Sequence, residues 1–128
     1  MNNTTIASID LTKILFLDIE TVPQHVSVSE LSEAELALWN KKSQRLREEG
    51  MSDEELYKKA GIFAEFGKIV CISVAFMRKV LNEYELRVRS FYDDDERKLL
   101  TDYMELVNTY FNTKKTYFCA HNGYEFDF

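Results

Sequence analysis

Four consecutive apolar residues, Ile14 to Leu17, sit between polar neighbours and run directly into Asp18 and Glu20. A short continuous apolar run of this kind predicts a strand buried on both faces. Residues 24–66 have a different pattern. Ser32 with Glu35, and Ser52 with Glu55, are two capping boxes, each opening a helical stretch. Gly50 and Gly61 stand where such helices stop. This region is predicted to be a pair of helices inserted after the first strand. "KIVCISVAFM", residues 68–77, is apolar at both alternating sets of positions and reads as a central strand.

Residues 82–91 alternate. Tyr84, Leu86 and Val88 fall on one side and Glu85, Arg87 and Arg89 on the other, the pattern of a strand with one wet face. The short link "RKVLN" predicts an antiparallel hairpin between these two strands. A helix follows, with Asp93 and Glu96 as its expected capping box and Leu100, Tyr103, Met104, Val107 and Phe111 at helical spacing. "TYFCA", residues 116–120, then reads as a strand that returns parallel to a neighbour. The order predicts an α/β fold with a mixed sheet flanked by helices, without internal repeats.

Composition narrows the class. The 128 residues fit one domain, and 45% hydrophobic with 13% aromatic residues supports a packed core. No apolar run approaches the roughly 20 residues that span a bilayer, so no membrane partner is expected. The net charge of −6 argues against a protein that coats nucleic acid, which needs a broad basic surface. Cys71 and Cys119 lie in apolar runs without metal-ligand spacing and read as buried free thiols of a cytoplasmic protein.

Residues two apart on a strand share a side, so Asp18 and Glu20 project together. Paired carboxylates beside a buried strand repel and lose solvation, and Mg²⁺ or Mn²⁺ relieves both costs through oxygen ligation. The plain alternative is a strand that ends in solvent. A second acidic point strengthens the metal reading: "HNGYEFDF" follows the last apolar strand as "DIET" follows the first. If those strands are parallel neighbours, Asp127 approaches Asp18 and Glu20 at the sheet edge where ligands collect in open α/β sheets, with Gly123 allowing an unusual turn.

"FLDIET" with "HNGYEFD" resembles the first two motifs of the DEDD 3′–5′ exonucleases, which have the ribonuclease H-like fold. The resemblance is greatest to bacterial predicted exonucleases similar to the exonuclease domain of family B DNA polymerases, through "DIETVP", the helical insert and "AEFGKIVCISVAF". It covers Lys13 to Phe128. It implies a metal-dependent hydrolase that removes the terminal nucleotide of single-stranded DNA or RNA by a two-metal mechanism. Asp18, Glu20 and Asp127 would be catalytic metal ligands for Mg²⁺ or Mn²⁺. Thr21 and Asn122 would position the 3′-terminal nucleotide, and Phe126 would pack beneath it. Asn122 could instead cap its own turn.

The family's third motif, with a fourth acid, is missing from these residues. The chain is therefore expected to be the N-terminal part of such a domain, inactive alone, with uncovered apolar sheet surface that drives a dimer or larger assembly. The alternative is a non-catalytic module that binds nucleic acid or a partner chain. A haloacid-dehalogenase-type phosphatase matches "ILFLDIETV" less well, because Glu20 replaces its second aspartate. Lys41, Lys42, Arg45 and Arg47 beside Trp39 offer phosphate contacts and a stacking ring, or else a solvated helix face with Trp39 as its anchor.

Overall fold

The computed structural model describes residues 8–127. Its elements are β1 (Ile14–Pro23), α1 (Glu33–Ser43), α2 (Asp53–Tyr57), β2 (Gly67–Val80), β3 (Glu83–Tyr92), α3 (Glu96–Leu106) and β4 (Tyr117–Cys119). The strands form a four-stranded sheet in the order β3-β2-β1-β4 among the described residues. The sheet is mixed: β4 is parallel to β1, and β3 is antiparallel to β2. This is the α/β architecture that the sequence predicts. The chain divides into two compact units, Met1–Glu20 with Val70–Phe128, and Thr21–Ile69.

The second unit is the helical insert, with a core of its own. Both capping boxes form: Ser32 and Ser52 accept the backbone N–H of Glu35 and Glu55, and each glutamate reaches back to the serine N–H. Both helices tighten into 3₁₀ turns, at Gln44–Leu46 and Lys58–Ile62. Trp39, Leu56, Tyr57, Ala60 and Phe66 are buried together. The Trp39 ring meets Tyr57 and Phe66 edge-on, with centroids 5.4 and 5.3 Å apart, the geometry that aromatic quadrupoles favour. Trp39 is therefore a core anchor and not a stacking platform. Gly67 allows a close approach of backbone to backbone, because a Cβ there would stand 2.5 Å from the Gly61 carbonyl oxygen.

In the first unit the hairpin turn is Leu81–Asn82, between the paired residues Val80 and Glu83. Leu81 (φ 49°) and Asn82 (φ 70°) both take the left-handed conformation of a two-residue I′ turn. α3 covers one side of this hairpin. Phe91 packs edge-on against Tyr103, and Phe76 against Phe111. Ile72, Val74, Leu99 and Leu106 are buried with them.

Several expectations need correction. The helix cap is Asp95, which accepts from the N–H groups of Arg97 and Lys98, while Asp93 bonds the Asp95 N–H and the Lys98 ammonium. The buried stripe of α3 runs through Leu99 and Leu106, and Met104 is exposed. On β3 the apolar side is open as well as the charged one: Tyr84, Leu86 and Val88 are 54%, 57% and 66% exposed, and the buried residue of the strand, Phe91, lies on the charged side. Phe91 shares a side with Arg87 and Arg89 and docks onto α3, so it is the charged side that faces the helix. β1 is buried on one side only, through Leu15 and Leu17, while Ile14 and Phe16 are half-buried. Cys119 is exposed and Cys71 half-buried, so neither free thiol is a core residue.

Candidate functional site

β1 carries Asp18 and Glu20 on the side opposite Leu15 and Leu17. Leu15 is fully buried and Leu17 nearly so, which fixes the strand, while both carboxylates are exposed. Ile19, between them, is half-buried. Thr21 follows on the same strand, half-buried, as the first residue of the second unit.

The parallel register pairs Ile14 with Tyr117, Leu15 with Phe118 and Phe16 with Cys119. Asp18 and Glu20 therefore lie beyond the last pair with β4, on the side to which the segment after β4 continues; the strand does not end at the acids as expected but runs on to Pro23. After Cys119 the chain turns at His121 and Asn122 and closes a single wide helical turn, Gly123–Asp127.

That turn is built on Asn122. Its carbonyl accepts the N–H groups of Glu125, Phe126 and Asp127 at 3.1, 2.9 and 3.3 Å. Its own N–H donates to Asp127 Oδ2 at 3.0 Å. Asn122 thus organises the turn through its backbone, and its side-chain region is exposed. Phe126 and Asp127 are half-buried, and Gly123 is buried. Gly123 does not take a left-handed conformation; Gly50 (φ 81°) is the glycine that does.

The structure aligns the two acidic segments at one end of the sheet but does not close them into a metal cage. Among the described residues no three His, Cys, Asp or Glu side chains form a group able to hold a metal ion. Asp18 and Glu20 supply the donor chemistry for a hard divalent cation, exposed oxygens on one side of a rigid strand. The Asp127 carboxylate is engaged by the Asn122 N–H. His25 is not a zinc ligand candidate; its ring lies 3.8 Å from both Glu30 and Glu35.

A second feature lies wholly within the helical unit. A groove of about 650 Å³ is lined by Lys41, Lys42, Arg45, Leu46, Phe63 and Phe66, among others. Lys42 pairs with Glu65 at 2.7 Å and lies 4.9 Å from the Phe63 ring centre. Arg47 turns to Asp53 at 2.6 Å. The basic run was legible in the sequence. Its apolar floor was not, because Phe63 and Phe66 follow a glycine-bounded turn and carry no periodic signal. Among the described residues no helix is long and apolar enough to cross a membrane. Comparison with protein-family models, with curated proteins and with solved structures finds no match to this chain.

Proposed function

We propose that this chain carries the metal-binding half of a 3′–5′ exonuclease site of ribonuclease H-like type, acting on the 3′ end of single-stranded DNA or RNA. The observation that carries the reading is the parallel pairing of β1 with β4, which brings "DIET" and "HNGYEFD" to one end of the sheet. The mixed four-stranded sheet is compatible with that fold.

Asp18 and Glu20 would hold Mg²⁺ or Mn²⁺, and Asp127 would join them on giving up the Asn122 N–H. What the bound cations supply is Lewis-acid activation of water and stabilisation of the leaving oxygen. Glu20 would also contact the attacking water or the terminal hydroxyl. Thr21 and Asn122 would orient the last nucleotide, with Phe126 packed below. The assignment to these residues is metal holding and end binding, with turnover reserved for a site that has its fourth acid. The free thiols go with a reducing compartment, which for this reading is the cytoplasm.

The test is binding of a 5′-labelled single-stranded oligonucleotide with and without Mn²⁺. The reading expects metal-dependent binding that favours a 3′-hydroxyl over a 3′-phosphate end and is lost in Asp18→Asn. Binding indifferent to metal, to the 3′ end and to Asp18 would overturn it.

The groove beside Lys41 and Arg45 favours a second reading, a module that holds a single strand through phosphates without chemistry. In that case Lys41→Glu with Arg45→Glu abolishes binding and flattens its salt dependence, while Asp18→Asn has no effect.

A further inference from the structure

Among the described residues β3 is an edge strand: it pairs with β2 on one side and ends the sheet on the other. Its ten residues pair with β2 without a bulge, and it contains no proline and no lysine. Bulges, prolines and lysines usually blunt an edge against pairing with another chain, and so do charges of one sign; the charges β3 carries, Glu83, Glu85, Arg87 and Arg89, are of both signs and can be matched by a second copy. Its residues are exposed apart from Phe91, which is buried, and Glu85, which is half-buried.

We propose that two copies of this chain pair β3 with β3, antiparallel and centred on Leu86, to make one continuous sheet. The order of side chains on the strand selects this register. In a two-fold antiparallel pair, residues equidistant from the centre face each other on the same side of the sheet. Centring on Leu86 sets Glu85 against Arg87 and Glu83 against Arg89 of the second copy, each twice. On the other side of the sheet it sets Tyr84 against Val88, with Leu86 against itself at the axis. Every charge on the facing stretch then meets its opposite, and every exposed apolar residue meets another.

Neighbouring registers lack this match. Centring on Arg87 puts that cation against its own copy. Centring on Val88 puts Arg87 against Arg89. Like charges directly opposite are unfavourable on a strand pair.

Charge within one chain is compatible with the pairing. Glu85 bonds Arg78 at 3.0 Å and Arg87 at 2.8 Å, and in the pair the second copy's Arg87 shares these carboxylate oxygens on the α3 side of the strand. The apolar side is continuous with β2, where Ala75 pairs with Val88 and Met77 with Leu86. Ser73 and Ser90 bridge at 2.8 Å near its far end. The inference is independent of the nuclease reading, because none of the acids at the β1 end takes part.

Sedimentation velocity on the 128-residue chain is expected to show a concentration-dependent dimer. Arg87→Glu should raise its dissociation constant by about tenfold or more, and Glu85→Arg with Arg87→Glu together should restore it. The register is read by cross-linking in a Cys71→Ser, Cys119→Ser background. Leu86→Cys should oxidise to a disulfide dimer, because the two residues meet at the axis, and Val88→Cys should not. Circular dichroism of each variant separates loss of pairing from loss of fold. A monomer at every concentration overturns the proposal. A dimer that ignores Arg87→Glu, or that cross-links through Val88→Cys and not Leu86→Cys, overturns it as well.

Discussion

The carboxylate of Asp127 is held by the backbone N–H of Asn122, at 3.0 Å. Two residues to which the exonuclease resemblance gives separate roles, one toward metal and one toward substrate, are thus one hydrogen-bonded unit. A cation that took Asp127 Oδ2 would share that oxygen with this N–H and draw electron density from the bond.

In an NMR titration with Mg²⁺, the Asn122 amide should therefore respond together with Asp18 and Glu20. Its proton should shift as the bond to Asp127 loosens, and its exchange with solvent should quicken. If Asp18 and Glu20 respond while Asn122 stays fixed, Asp127 does not ligate through Oδ2.

The two capping boxes make the helical unit acid-sensitive. Glu35 is held below its usual value of 4.5 first by the Ser32 side chain, then by the Ser32 backbone, with His25 adding to the effect. Glu55 is lowered from 4.5 by the Ser52 backbone and then its hydroxyl. A depressed carboxylate contributes stability that is complete above the unfolded value and is lost as pH falls through the folded one. Denaturation followed by Trp39 fluorescence should thus show a midpoint that is steady above 4.5 and declines below it. Glutamine also completes a capping box, so Glu35→Gln with Glu55→Gln should flatten that decline without unfolding the unit at neutral pH. An unchanged acid limb would exclude the boxes as its source.

Tyr57 is buried, and its hydroxyl makes no hydrogen bond, although the His25 backbone lies near it as a weak polar neighbour. Burial pushes its pKa above 10, and Glu35, Glu30 and Glu54 push it further. An unpaired buried hydroxyl is a cost, so Tyr57→Phe should raise stability by about 0.5–1 kcal/mol. Loss of stability of that size in a urea melt would mean that the His25 contact outweighs the desolvation.

Leu81 takes φ 49° at the first position of the hairpin turn and is 95% exposed. A branched residue in the left-handed region costs about 1 kcal/mol, and its side chain recovers nothing by packing. Leu81→Gly should therefore stabilise the chain by several tenths of a kcal/mol or more, read as a rise in melting temperature. A fall would mean that Leu81 meets a partner in solution.

The features legible in the sequence are the local ones. Ser32 with Glu35 and Ser52 with Glu55 form their caps within three residues, so they need no distant partner. The parallel return of β4 was legible because a helix joins it to the preceding strand. Three consecutive aspartates offered three caps for α3, and spacing alone could not select Asp95 over Asp93. Alternation on β3 gave the period but not the buried side, which Phe91 decides by reaching Tyr103. At the candidate site, the alignment of "DIET" with "HNGYEFD" followed from strand order. The bond between Asn122 and Asp127 did not, since it depends on how tightly one turn closes.

Mn²⁺ titration followed by electron paramagnetic resonance reads out the divalent-cation site proposed at Asp18 and Glu20. Saturable binding is expected, with a dissociation constant that rises about tenfold or more in Asp18→Asn and in Glu20→Gln and the fold intact by circular dichroism. Mn²⁺ binding equal in the native chain and both variants would contradict it.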